Sequence, residues 1–258
     1  MLTGSYPRLN RMRRMWGALP SPPRCKLCNA PFRGPGGLLM RTIAYGPSSL
    51  NQRLCKWCIR ALSKEPGGAE IEVSLLFADV RGSTSIAERM PPDEYSRLIA
   101  RFYGAAAKVV DERDGIVDKF VGDGAVALFI PGFAGDDHAE DAVSAARSLV
   151  EQTGNDGSEP WIAIGAAVHT GACFVGAVGQ GDVTDFTALG DPVNTTARLT
   201  ELAGSGEILV STQAAAAAGL DTAGLERRTL DLRGKDQSVD AWVVRATSGR
   251  EDELPREA

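Results

Sequence analysis

Four of the chain's cysteines stand in two pairs of equal spacing, Cys25-Lys-Leu-Cys28 and Cys55-Lys-Trp-Cys58. Two such knuckles can bring four thiolates onto one tetrahedral ion, and four sulfurs suit Zn²⁺. The two-residue gap lets backbone amides turn toward the sulfurs while both side chains point inward. So short a region has few other means of staying folded. The 26 residues between the pairs exceed the usual ribbon spacing. An iron–sulfur cluster therefore stays open as a second occupant, and free or redox-active thiols as a third reading. A different chemistry is suggested by acids at strand ends. Asp79 closes the apolar run Leu75-Leu76-Phe77-Ala78 and leads into Val80-Arg81-Gly82-Ser83-Thr84, a turn whose amides suit phosphate. Asp123 lies in the tight turn Gly122-Asp123-Gly124. Brought together on adjacent strands, two such carboxylates can hold two Mg²⁺ ions about 4 Å apart, the arrangement used for in-line phosphoryl chemistry. Taken alone, each acid is a weak signal, because Asp at a turn is usually ordinary turn chemistry.

The elements that must position these groups follow from apolar spacing. Leu9, Met12, Trp16 and Leu19 predict an amphipathic helix over residues 8 to 19, suited to core or dimer packing. Lys64-Glu65-Pro66-Gly67-Gly68 breaks the pattern and divides a basic module, residues 1 to 66, from a larger domain, residues 67 to 247. In that domain Ile71 to Val80 reads as a buried strand and Pro91 to Arg113 as a helix. Gly115 to Ile130 reads as a hairpin turning at Asp123, and Asp136 to Glu151 as a second helix. Ile162 to Val178 is expected to form two strands turning at Thr170-Gly171. A helix over Pro192 to Ala203, a short one over Ala214 to Ala218, and strands near 207 to 210, 227 to 232 and 241 to 244 complete an α+β sandwich. Residues 248 to 258 are expected to fray. His169, at an expected strand end, reads as a local hydrogen-bonding residue, and Cys173 as a small buried hydrophobe.

Charge supports the same division. Residues 1 to 65 carry twelve Lys or Arg and one acid, net +11, and the remainder is net −16; together they give the chain's −5. With 43% hydrophobic and 24% charged residues the chain can bury a core and is not broadly disordered. The longest uncharged stretch, Pro160 to Gly181, carries five glycines, so no membrane span is expected. Pro20, Pro22 and Pro23 stand where a signal peptide needs its apolar region, and an odd cysteine count with CxxC pairs suits a reducing cytoplasm. The basic module could bind phosphate backbones, with Trp16, Tyr45 and Trp57 stacking on bases. Without a visible recognition helix, docking against the acidic part of the same chain is the preferred reading, and nucleic acid is not an expected partner.

Four blocks, in order, carry a resemblance. Phe77-Ala78-Asp79-Val80-Arg81-Gly82-Ser83-Thr84, Asp118-Lys119-Phe120-Val121-Gly122-Asp123, His169-Thr170-Gly171, and Phe186-Thr187-Ala188-Leu189-Gly190-Asp191-Pro192-Val193-Asn194-Thr195-Thr196-Ala197-Arg198 resemble the class III nucleotidyl cyclase catalytic domain over about residues 70 to 247. The resemblance implies a ferredoxin-like α+β domain, an antiparallel sheet with packed helices. It also implies a head-to-tail homodimer with two shared active sites. By that resemblance Asp79 and Asp123, assisted by the Val80 carbonyl, bind two Mg²⁺ or Mn²⁺ ions, and Gly82 and Thr84 lie in the phosphate loop. Lys119 and Thr187 match the base-reading pair, Asn194 the residue that orients the ribose, and Arg198 the arginine that stabilises the α-phosphate in the transition state. Arg233 falls where the family places a cation on the terminal phosphates.

The implied activity is conversion of ATP to 3′,5′-cyclic AMP and pyrophosphate. Lys119 can donate to adenine N1 and the Thr187 hydroxyl can accept from the exocyclic amine, whereas guanine presents the reverse pattern. Two departures bear on substrate: Ser83 stands where many members carry Phe, and Thr187 replaces the Asp of the best-known adenylyl members. A cyclase acting on GTP, CTP or UTP, and a non-catalytic nucleotide-binding regulatory module, remain the alternatives.

Overall fold

The computed structural model describes residues 2–3, 7–18, 23–43, 45–48, 52–62, 68–155, 159–180, 183–232 and 238–246. Arg233, the 63–67 boundary and the expected tail lie outside these residues. The chain runs α1 (Pro7–Gly17), α2 (Gly34–Thr42), α3 (Lys56–Leu62), β1 (Gly68–Val80), α4 (Ser83–Arg89), α5 (Pro92–Glu112), β2 (Ile116–Val121) and β3 (Gly124–Phe129). It continues through α6 (Pro131–Ala134), α7 (His138–Gln152), β4 (Ile164–Gln180), β5 (Val183–Leu189), α8 (Asp191–Leu202), β6 (Glu207–Ser211), α9 (Thr212–Ala217), β7 (Glu226–Leu230) and β8 (Val239–Arg245).

The strands form one sheet in the order β2-β3-β1-β4-β6-β8-β7, with β5 paired to β4. Its β1-α5-β2-β3-α7-β4 portion is the expected ferredoxin-like unit. The sheet is mixed rather than purely antiparallel, because β6 runs parallel to β4 through Ala166↔Ile208 and Val168↔Val210. The intervening α8 makes this possible, since a parallel neighbour requires a crossover that a tight hairpin cannot provide.

Strand β1 organises the core because side chains alternate across a strand and both faces of this one are covered. Leu76, Ala78 and Val80 join the apolar cluster built from Ile99, Phe102 and Val109 of α5 and Ala142, Ala146 and Leu149 of α7. Ile71, Val73 and Leu75 point the other way, into a cluster that includes Leu27, Phe32, Leu54, Ile59 and all four CxxC cysteines. The N-terminal module is thus the second layer over this part of the sheet. In α1, Leu9 is fully buried in the same cluster, with Met12 and Trp16 packed against it.

Opposite charges hold the two layers together. Lys26 Nζ lies 3.1 Å from Asp111 Oδ1 and 2.9 Å from Asp114 Oδ1, and Arg53 Nη1 is 3.0 Å from Asp111 Oδ2. Arg13 donates to the carbonyls of Leu27 and Gly132, one on each side of the junction. The aromatics considered for base stacking pack on one another instead. Tyr45 stacks on Trp57 at 5.7 Å between centroids, and Trp16 tilts against Tyr45 at 5.9 Å.

The expected turn at Thr170-Gly171 does not occur. β4 passes straight through it, because Thr170 and Gly171 pair with Ser74 and Val73 of β1, and the Ser74 and Thr170 hydroxyls are 2.6 Å apart. The glycine serves a close approach: a Cβ on Gly171 would lie 2.8 Å from Pro192 Cγ at the start of α8. The strand that folds back on the C-terminal half of β4 is β5, from Phe174↔Leu189 to Gln180↔Val183, on the edge opposite β1. His169 therefore sits mid-strand, buried, with Nδ1 2.8 Å from the Ser211 hydroxyl on β6. Cys173 is buried as expected, and burial pushes its thiol up to about 11. Among the described residues no helix is long and apolar enough to cross a membrane.

Candidate active site and cysteine centre

The β2–β3 hairpin turns at Gly122-Asp123, where Gly122 takes φ +60°, a conformation cheap only for glycine. In the β1–β3 register Asp79 lies opposite Gly124, which sets Asp123 next to it across the ladder. A Cβ on Gly124 would come within 3.3 Å of Asp79 Oδ1, so the glycine leaves the Asp79 carboxylate its space. Burial, and then the charge of Asp123, hold the Asp79 carboxyl above its ordinary range; Arg81 and the Val80 amide pull the other way. The hairpin tip is fixed from α5: the Tyr103 hydroxyl donates to the Gly122 carbonyl and its ring stacks on Phe120 at 4.0 Å. Two neighbouring carboxylates offering hard oxygen donors, with Asp79 held above its ordinary range beside Asp123, fit Mg²⁺ or Mn²⁺. Val80 is buried, Gly82 takes φ +69° at the start of α4, and Gly82 and Thr84 are exposed.

A second group forms where β2 meets β5. The register of β2 against β3 shifts between Val117 and Lys119, leaving Asp118 in a bulge. Bulges re-aim side chains, and this one carries the Asp118 carboxylate against Thr187. Thr187 Oγ1 donates to Asp118 Oδ2 at 2.8 Å, and Lys119 Nζ lies 3.5 Å from the same oxygen. The Asp118 side chain is 5% exposed whereas that of Lys119 is 45% exposed, so the ammonium alone reaches well into solvent. Burial raises the Asp118 carboxyl, and Thr187 and Lys119 restrain the rise.

Helix α8 carries Asn194 and Arg198 one turn apart, the first exposed and the second half-buried. Its first turn is pinned by Pro192 against Gly171 and by Thr195 and Thr196 donating to the carbonyls of Asp191 and Pro192 at 3.0 and 2.7 Å. The geometry therefore joins Asp79 with Asp123, and Lys119 with Thr187, and places Asn194 and Arg198 together on α8. Arg233 falls outside the described residues.

Reading by type and spacing overlooked two residues at this site. Arg81 places Nη1 3.6 Å from Asp79 Oδ2 and donates from Nη2 to the Thr200 carbonyl at 2.7 Å. Its Nε is buried without a hydrogen-bond partner among the described residues, packed where a Cβ on Gly165 would sit 2.6 Å away. The other is Asp118, adjacent in sequence to Lys119 and therefore visible as a neighbouring opposite charge, though not as a bulge.

The four CxxC sulfurs lie within 4.8 Å of one another and are fully buried. Cys25 and Cys58 Sγ are 3.8 Å apart, and Cys28 and Cys55 Sγ 3.7 Å. A disulfide needs about 2.05 Å. A tetrahedron with Zn–S bonds of about 2.3 Å has edges of about 3.8 Å, so these separations fit a four-sulfur zinc site. The Cys55 and Cys58 amides donate to the sulfurs of Cys25 and Cys55 at 3.3 and 3.4 Å, as the knuckle spacing requires. The neighbouring thiols lower Cys25 and, with burial, raise Cys28 and Cys58, because four clustered thiols cannot all ionise without a cation.

Residues 68–245 match the family described as the adenylate and guanylate cyclase catalytic domain, and the chain belongs to that family. A Mycobacterium tuberculosis protein is 34% identical over 182 residues, covering 67% of this chain and 32% of its own length. An adenylate cyclase of Anabaena cylindrica is 29% identical over 191 residues, 67% of this chain and 37% of that protein. The chain thus spans about a third of the length of these relatives. Among solved structures, the guanylyl cyclase Cya2 superposes with TM-score 0.61 at 29% identity, and the adenylyl cyclase CyaB of P. aeruginosa with 0.60 at 26%. Each covers 72% of this chain and 98% of the other.

Proposed function

We propose that this nucleotidyl cyclase is an adenylate cyclase, converting ATP to 3′,5′-cyclic AMP and pyrophosphate at two sites shared across a homodimer. The carrying observation is the Lys119–Asp118–Thr187 cluster, a cation and a hydroxyl set together where the base is read. The named activities of the Anabaena relative and of CyaB support the same substrate.

In this reading Asp79 and Asp123, with the Val80 carbonyl, hold two Mg²⁺ or Mn²⁺ ions of one protomer. Such ions acidify a ribose 3′-hydroxyl and neutralise phosphate charge. The phosphate tail lies over the exposed turn at Gly82 and Thr84. From the partner protomer, Lys119 donates to adenine N1 and Thr187 accepts from the amine, which fixes the base. Asn194 orients the ribose so that its 3′-oxygen faces the α-phosphorus in line with the departing pyrophosphate. Arg198, one turn along α8, donates to the α-phosphoryl oxygens as charge redistributes, a role worth roughly 10³ to 10⁵ in rate. Arg233, by its position in sequence, neutralises the leaving phosphates. The four N-terminal cysteines hold a structural Zn²⁺, residues 1–66 act as a module over the catalytic domain, and the clustered thiols suit a reducing cytoplasm.

The similarity to Cya2 favours a second reading, in which GTP is the substrate. Mass spectrometry of products after incubation with each of ATP, GTP, CTP and UTP, with Mg²⁺ or Mn²⁺, separates the two. Cyclic AMP as the main product is the expected result; cyclic GMP in its place, or no cyclic nucleotide at all, overturns the proposal.

A further inference from the structure

The Thr187 hydroxyl has one proton, and the structure shows where it goes. An ionised carboxylate only accepts hydrogen bonds, so the 2.8 Å contact with Asp118 Oδ2 must use the threonine O–H as donor. What remains free on Thr187 is lone pairs. An unconstrained hydroxyl would rotate to suit either an amine or a carbonyl on the incoming base, and would discriminate little. This one is constrained by a carboxylate whose side chain is 5% exposed and which a strand bulge delivers to that position. The same oxygen lies 3.5 Å from Lys119 Nζ, so it also restrains the ammonium. Phe186 and Ala188, on either side of Thr187 in β5, are anchored in the apolar cluster beneath the sheet, which keeps Thr187 turned toward β2.

We propose that Asp118 is a specificity-determining positioning residue: by taking the Thr187 proton and tethering Lys119, it makes the pair present one acceptor and one donor, the complement of adenine and the mismatch of guanine. The inference rests on the adenylate cyclase reading and deepens it. It also accounts for threonine at 187 where the best-known adenylyl members carry Asp. The carboxylate is still present at the base-reading pair, supplied from β2, one hydrogen bond further from the base. With a neutral amide at 118, an N–H can be offered to Thr187, its hydroxyl proton is released toward the base, and the discrimination is lost.

The test compares kcat/KM for ATP and for GTP in the full-length wild type, Asp118→Asn, Asp118→Glu, Thr187→Val and the Asp118→Asn/Thr187→Val double variant. Wild type should prefer ATP. Asp118→Asn should lower the ATP:GTP ratio at least about tenfold, the scale of one charge-assisted hydrogen bond. Asp118→Glu should retain most of the preference, and Asp118→Asn should change the ratio little further once Thr187→Val has removed the hydroxyl. A ratio within twofold of wild type in a folded, dimeric Asp118→Asn protein overturns the proposal. So does an equal effect of Asp118→Asn with and without the Thr187 hydroxyl. If Asp118→Asn does not fold, Asp118→Ser against Asp118→Glu decides: a wild-type ratio in Asp118→Ser overturns it, and a ratio kept by Glu but lost with Ser supports it. A wild type that makes cyclic GMP overturns the adenylate reading and this inference with it, whereas an ATP-selective wild type with an indifferent residue 118 overturns the inference alone.

Discussion

Gly171 and Pro192 touch so closely that a single methyl between them has no room: a Cβ on the glycine would lie 2.8 Å from the proline Cγ. Pro192 lies in the first turn of α8, which carries Asn194 and Arg198, so the contact sets the height of that helix over β4. Gly171→Ala must push α8 away or bend the strand, at a cost of about 1–3 kcal/mol. The two catalytic candidates move with the helix, and displacements of about 1 Å cost on the order of 10²-fold in rate. We expect kcat to fall at least tenfold with a smaller change in KM and a modest drop in Tm. Unchanged steady-state kinetics would show that α8 is placed by other contacts.

That glycine also shows where sequence reading succeeds and where it stops. A Thr-Gly pair between two apolar runs has the composition of a turn, and nothing local distinguishes a glycine needed for a positive φ from one needed for a close approach. The difference lies in Pro192, 21 positions away. By contrast Gly122-Asp123-Gly124 is a turn by its own backbone chemistry, and the hairpin forms where expected. The cysteine spacing was legible for the same reason, since the knuckle geometry is local. Asp118 was not, because a bulge is a property of two strands in register. The parallel β4–β6 pair likewise depends on a crossover through α8.

The cysteine centre and the sheet that carries Asp79 share one apolar cluster, so loss of a metal from the proposed zinc site should be felt in the sheet. Cys25, Cys28, Cys55 and Cys58 pack with Ile71, Val73 and Leu75 of β1, the strand that ends at Asp79. Purified protein should contain one zinc per chain by elemental analysis. Cys55→Ser should lose it and lower Tm by at least 10 °C, because such sites contribute folding free energy directly. Cyclase activity should fall in parallel, although no cysteine lies at the candidate active site. A variant that loses zinc yet keeps both Tm and turnover would show that the module is dispensable to the domain beneath it.

The proposed sharing of the active site across protomers makes a sharper demand on mixtures. If Asp79 serves one protomer's half of a site and Arg198 the other's, each single variant destroys both sites of its own homodimer. A heterodimer of Asp79→Ala with Arg198→Ala keeps one intact site. Each variant alone should lose at least about 10³-fold, and an equimolar mixture should recover up to a quarter of wild-type activity, the product of the heterodimer fraction and one site in two. Inactive mixtures in which heterodimers are shown to form by mass spectrometry would place both residues in one protomer's site.

Acid sensitivity should be concentrated at the far edge of the sheet. Glu207 on β6 receives Arg228 Nη1 at 2.7 Å and Arg245 Nη2 at 2.5 Å, and its side chain is 11% exposed. Hydrogen bonding from Arg228 in the first place, with the Gly204 amide and Arg245 adding to it, lowers its carboxyl from 4.5 to about 2. A depressed folded-state pKa means stability that is fully present above the unfolded value and is lost as pH falls through the folded one. The window is therefore from about pH 4.5 down to about 2. With a discount for the half-exposed Arg245, the contribution near neutral pH is about 2 kcal/mol. Glu207→Gln leaves the arginines facing a neutral amide and should remove most of that. Urea unfolding at pH 7 should show the variant less stable than wild type, with the two curves converging toward pH 2–3. A gap that stays constant across that range would mean that the glutamate acts through packing at the β6–β8 edge rather than through its charge.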